Sequence, residues 1–175
     1  MSDSTQKIEM NINNIVNIYR YLESRGLGSM PVIVGIDGMN GTGKSHLAHC
    51  IGCNFMVPVI NIDLFVGEVT ESYKNAVAFE IMRRPIERYK KNKRTFVIEG
   101  ILLLEILKEI NVVPDILIYY KLLNSRREWV DEDFCCIPEK CGINALPPLR
   151  RDIARYHSIF KPLGKADCIV FRLGA

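Results

Sequence analysis

The sequence predicts an α/β protein, a three-layer α/β/α sandwich around a mostly parallel five-stranded sheet, in one domain over residues 1–175. Two observations carry this. Continuous β-branched runs recur along the chain, as strands buried on both faces require, and stretches of helical period separate them. The chain of 175 residues, 48% hydrophobic and 25% charged, also has the length and composition of a single globular domain rather than of a disordered chain.

Ile8, Ile12, Ile15, Tyr19 and Leu22 follow a helical spacing that Gly26 and Gly28 stop, so residues 5–25 read as a flanking amphipathic helix. PVIVGID (31–37) is the first strand, followed by a glycine-rich turn and a helix over 44–52. VPVINID (57–63), TFVIEG (95–100), DILIYY (115–120) and DCIVF (167–171) are the remaining four. Helices are expected over 70–92, 100–110, 123–134 and 149–160, giving right-handed crossovers. CCIPEKCGINALPP (135–148), with three prolines, reads as a loop.

Several function classes fall away on composition. No run of 18 apolar residues exists, so no membrane span is expected, and the N-terminus lacks a basic start followed by an apolar block, which points to the cytoplasm. The net charge of +3 supplies no whole-protein field for nucleic acid. RRPIERYKKNKR (83–94) is the densest basic cluster, but it lacks the interleaved aromatics of a single-strand binder, and no nucleic-acid partner is expected. The six cysteines read as reduced thiols. Cys50 and Cys53, with His46 and His49 nearby, have no second Cys-x-x-Cys pair to complete a zinc site.

The chemistry is concentrated in GMNGTGKS, residues 38–45, which has glycine, four residues, then Gly-Lys-Ser. Glycines let the backbone wrap a phosphate, and amides of the loop and of the helix start point at the anion. The nucleotide-binding set is therefore Gly38, Met39, Asn40, Gly41, Thr42, Gly43, Lys44, Ser45 and His46. Lys44 would reach the β and γ phosphates, and the Ser45 hydroxyl would join a magnesium ion on the same oxygens. The loop follows an apolar strand and opens a helix, as this motif demands, so the expected fold is that of the P-loop NTPases.

In an open parallel sheet, ligands gather at the carboxyl ends of the strands. Asp63 closes VPVINID and Glu99 closes TFVI, so both are candidates to hold magnesium, and one of them to accept a proton from an attacking hydroxyl. Asp37 precedes the loop and reads as structural.

VIVGIDGMNGTGKSHLA, NIDLF, FVIEGILLL and RYHSIFKPLGKADCIV, in that order over most of residues 31–171, resemble the uridine kinase and phosphoribulokinase group of small-molecule P-loop kinases. The resemblance implies transfer of the γ-phosphoryl of ATP to a hydroxyl of a small metabolite. Asp63 would be the base, with Ser45, Asp63 and Glu99 organising Mg²⁺. It also places a lid over 123–148, where Arg126 and Arg127 are candidates to stabilise charge on the transferred group. The stretch between Asp63 and Glu99 is shorter than in uridine kinases and reads mostly as helix, leaving no room for the hairpin that cups the nucleoside base. By order along the chain alone, Arg83 and Arg84 end a helix that could line the acceptor pocket with Phe65, Tyr73 and Glu80, with core or surface packing the favoured reading for each. The competing reading is a nucleotide-dependent regulatory switch that hydrolyses slowly and has no metabolite acceptor. The absence of an Asn-Lys-x-Asp motif weakens its GTPase form.

Overall fold

The computed structural model describes residues 7–135 and 146–174. Its centre is a sheet of six strands, all parallel, in the order β1-β6-β5-β2-β4-β3. These are β1 (Ile8–Asn11), β2 (Ile33–Gly38), β3 (Val59–Asn61), β4 (Phe96–Glu99), β5 (Ile116–Leu123) and β6 (Cys168–Leu173). Helices α1 (Ile15–Ser24) and α2 (Lys44–Phe55) cover one face, and α3 (Phe79–Lys91), α4 (Leu103–Glu109) and α6 (Pro148–Phe160) the other. Two short helices, α5 (Glu132–Cys135) and α7 (Pro162–Lys165), flank α6 along the chain.

Strand alternation sorts the core. Phe96 and Ile98 of β4 face the cluster with Met82, Ile86, Ile106 and Ile153, while Val97 faces the cluster with Ile18, Leu22, Leu47 and Ile51. Both faces are apolar because both are covered, which explains the unbroken hydrophobic runs. The chain leaves β2 through α2 to the edge strand β3, returns to β4, and crosses over β2 to β5. The loop after β2 therefore lies where the winding reverses, the place at which parallel sheets open a crevice for ligands.

The sheet has six strands rather than the expected five, because Ile8–Asn11 is a strand and not the first turn of a 5–25 helix. Its backbone pairs with β6, and the Lys7 ammonium is bound by the carbonyls of Leu163, Gly164 and Ala166. Helical spacing is a local signal; the open edge of β6 is a distant one, and it prevails. The Asn11 side chain then accepts from the amide of Asn13 at 2.9 Å and starts the turn into α1.

Two further expectations change. The second strand is three residues long instead of seven. Pro58 cannot donate to a ladder, and the Asn61 side chain, accepting from the Asp63 amide at 2.8 Å, turns the chain into a 3-10 turn over Ile62–Phe65. The helix expected over 70–92 begins at Phe79. Before it, residues 66–77 form a small loop closed by an antiparallel bridge between Val66 and Val77, with Gly67 N donating to Ala76 O at 2.9 Å and Ala78 N to Phe65 O at 2.8 Å. A compact hairpin-like element thus does stand beside Asp63. The helix expected over 123–134 is a tight turn followed by the four residues of α5, and most of the 135–148 loop lies outside the described residues.

The most buried carboxylate ties the two faces together. Asp37, 1% exposed at the end of β2, accepts from the Gly38 amide at 2.8 Å, from the Leu103 amide at the start of α4, and from the Tyr156 hydroxyl of α6. Tyr156 in turn accepts from the Leu104 amide at 3.1 Å. Burial raises the Asp37 carboxyl from 3.8 to about 6, against the opposing pull of Tyr156, Gly38 and Lys44.

Between about pH 4 and pH 6 the folded chain keeps a proton on Asp37 that the unfolded chain releases. Its contribution to stability therefore falls as pH rises through that window, by about 3 kcal/mol in all. Asp37→Asn should remove this slope, so urea unfolding of wild type and variant from pH 4 to pH 7 should give stability curves that converge or diverge by that amount. Parallel curves would show that Asp37 does not titrate there. A separate packing test is Gly52 of α2, where an added Cβ would lie 2.5 Å from Val59 Cγ2 and 3.1 Å from Val57 O. Gly52→Ala should cost about 1–3 kcal/mol in thermal unfolding by forcing α2 off β3.

Candidate active site

The phosphate-type loop runs from Gly38 to Gly43 between β2 and α2. Gly38 has φ +146°, and a Cβ there would lie 2.4 Å from Tyr120 O of the neighbouring strand, so only glycine lets the loop leave the sheet this way. Gly43, at φ +109°, caps the start of α2, and the first residue of that helix is Lys44. The loop braces itself through Thr42 Oγ1, which donates to Met39 O at 2.9 Å. The first amides of α2 carry the partial positive charge of a helix N-terminus, which favours a negatively charged group.

Lys44 is 6% exposed, and its ammonium donates to Met39 O at 2.8 Å. Burial lowers its pKa, while Glu99, Asp37, Asp63 and Asp131 act in the opposite sense and favour the charged form. The structure thus gathers around one cation three acids that the sequence singles out and a fourth, Asp131, that it does not. Asp131 lies just before α5, in a stretch with no motif to mark it.

Glu99, 1% exposed at the end of β4, has its carboxyl raised by burial, with the Ser45 hydroxyl bond and Lys44 opposing. Its Oε1 is buried with no hydrogen-bond partner. An orphaned carboxylate oxygen beside a serine hydroxyl is a fitting pair of donors for a hard cation such as Mg²⁺. Among the described residues no group of three or more His, Cys, Asp or Glu could hold a metal ion. His46 and Cys50 approach to 3.5 Å, and His49 Nδ1 bonds Ser45 O at 2.6 Å, as ordinary one-turn contacts along α2.

Asp63 is exposed on the turn after β3 rather than at a strand end. Its Oδ1 accepts from the Tyr73 hydroxyl at 2.7 Å, and Tyr73 is itself held by its amide, which donates to Asp152 Oδ2 of α6 at 2.8 Å. Burial foremost, and then the bond to Asp63, push the Tyr73 hydroxyl well above its usual range, so it acts as a fixed donor. Of the residues that the sequence offers for the acceptor side, Tyr73 contacts Asp63, whereas the Arg83 guanidinium donates to Glu109 O at the far end of α4, at 3.4 Å.

Arg126 and Arg127 lie on the turn after β5, not on a helix. Asn124 Oδ1 accepts from the Arg126 amide at 2.9 Å, Arg127 has φ +65°, and both side chains are exposed. Arg127 borders a cavity of about 260 Å³ with Glu9, Glu128 and Phe171, toward the β1 edge of the sheet. The turn packs down through Trp129, whose ring meets Tyr119 edge-on at 5.9 Å and carries the Lys121 ammonium at 4.7 Å. Cys136 and Cys141 lie outside the described residues.

No protein-family model matches the sequence, and no curated protein matches it. Among solved structures, the chain is similar to a possible uridine kinase from Bacillus stearothermophilus, with a TM-score of 0.58 and 14% identity over 91% of this chain and 98% of that one. A weaker likeness, TM-score 0.46 and 12% identity over 82% and 88% of the two chains, is to a "putative kinase" from Chloroflexus aurantiacus. No described helix is long and apolar enough to cross a membrane. With its six parallel strands and the Gly38–Ser45 loop at the winding reversal, the chain shares the fold of that possible uridine kinase.

Proposed function

We propose that this chain is an ATP-dependent small-molecule kinase, which moves the γ-phosphoryl of Mg-ATP to a hydroxyl of a nucleoside-like or other small metabolite. The observation that carries the reading is the juxtaposition of the buried Lys44, the half-satisfied Glu99 and the oriented Asp63 around one glycine-rich loop. Phosphoryl transfer asks little covalent chemistry of a protein; it asks for positioning and charge neutralisation.

Each residue has a distinct task on this reading. Backbone amides of residues 39–46 cradle the phosphates, and Lys44 neutralises the β and γ oxygens. Ser45 and Glu99 would hold Mg²⁺, which would supply charge neutralisation to the phosphate oxygens. Tyr73 occupies Oδ1 of Asp63, leaving Oδ2 to align the acceptor hydroxyl and take its proton. The 66–77 loop beside Asp63 supplies one wall of the acceptor site. Arg126 and Arg127, on the turn that leads into Asp131, are the charges assigned to closure over the transferred group.

Lys44→Ala should abolish nucleotide turnover. Asp63→Asn should lower acceptor-dependent ADP release by roughly 10²–10⁴-fold, the usual worth of a positioned base, while the affinity for ATP changes less than about twofold. Stopped-flow binding and a coupled ADP assay measure the two quantities. The acceptor is found by screening nucleosides, sugars and vitamin precursors for stimulated ADP release. Silence across that panel with slow basal hydrolysis would favour the switch reading, and full activity in Asp63→Asn would remove Asp63 as the base.

A further inference from the structure

The site described above is short of positive charge. Four carboxylates, those of Glu99, Asp37, Asp63 and Asp131, act on the one ammonium of Lys44. A nucleoside polyphosphate brings several more negative charges, so a cation beyond Lys44 and a bound metal is needed close to the loop. Arg126 and Arg127 lie on an exposed turn, and Arg127 borders the cavity toward the β1 edge.

One guanidinium does touch the loop. Arg172 Nη2 donates to Gly41 O at 3.4 Å. The sheet register explains how a residue near the C-terminus comes to be there. Gly38 pairs with Tyr120, Tyr120 with Val170, and Leu122 with Arg172, so Arg172 lies two residues past the level at which the loop leaves β2. Alternation puts it on the face of Cys168 and Val170, which is the face that α2 covers. It therefore rises beside the loop at the carboxyl edge of the sheet.

Its present bond is a weak one: long, exposed, and to a neutral acceptor. Nothing lies within 4 Å of the position a Cβ would take on Gly41, so the space at the loop apex is open to a ligand. A guanidinium next to that space, bonded to a neutral carbonyl, has a much better acceptor in a phosphate oxygen, to which it can donate two bonds.

We propose that Arg172 binds the phosphate chain of the nucleotide held by the Gly38–Ser45 loop, exchanging Gly41 O for phosphate oxygens when the nucleotide enters. This deepens the nucleotide-binding part of the proposed function and rests on it. It assigns to the last strand a role that no motif in the sequence announces.

The test is equilibrium binding of mant-ADP and mant-GDP, with magnesium, to wild type, Arg172→Ala, Arg172→Gln and Arg172→Lys at several salt concentrations. At low salt the two neutral variants should bind about tenfold more weakly than wild type, with the difference shrinking as salt rises, and the lysine variant should recover part of the loss. The exposed position of Arg172 predicts unchanged thermal unfolding of the free protein, and Arg172→Gln serves if the alanine variant is poorly folded. Neutral variants that bind within twofold of wild type overturn the inference and leave the nucleotide reading standing. A loss that ignores salt and is not recovered by lysine overturns the phosphate contact. Wild type that binds neither nucleotide overturns the nucleotide reading itself, and the inference with it.

Discussion

The hydrogen bond from Tyr156 to Asp37 fixes the relation between the sheet and everything above its carboxyl edge. A carboxylate 1% exposed is costly to hold ionised, and it persists only where donors surround it. Here the donors come from three directions: the first amide of the phosphate-type loop, the start of α4 and the hydroxyl of α6. The cost of burying Asp37 thereby becomes a constraint on geometry. If α6 or α4 shifts, a buried acceptor loses its partner, which penalises displacement far more sharply than apolar packing alone.

Electrostatics explains why so many acids crowd the same edge. The start of α2 directs partial positive charge at the loop, and Lys44 adds a full one behind it. Carboxylates set around that positive field are stabilised while the site is free. They also supply oxygen donors for a cation that accompanies an anionic ligand. The orphaned Oε1 of Glu99 is where this arrangement is least satisfied by protein alone, and so where a ligand has most to offer.

Much of this was legible from the sequence, and the failures have a common cause. β2, β4, β5 and β6 announced themselves because a strand buried on both faces leaves a continuous apolar run, and the loop because its glycines and Lys44 have fixed spacing. β1 did not, since its four residues fall in phase with the helix that follows and only pairing with distant β6 makes them a strand. Tyr156 reads as one more apolar position on α6; no spacing rule says that its hydroxyl meets Asp37, 119 residues earlier. Asp131 and Arg172 are hidden in the same way. Each acquires its place through a contact across the fold, whereas motif reading sees only neighbours along the chain.

The same helix also reaches the proposed base. Asp152 and Tyr156 are four residues apart on α6, hence on one face and one turn from each other. Asp152 accepts from the Tyr73 amide, and Tyr73 donates to Asp63; Tyr156 donates to Asp37, which accepts from the first amide of the loop. Arg151 reinforces the first link by donating to Glu71 O at 3.2 Å. One turn of α6, about 5.4 Å of rise, therefore sets the separation between the group that would take the acceptor's proton and the loop that would hold the donor's phosphates. In-line transfer tolerates little error in that separation.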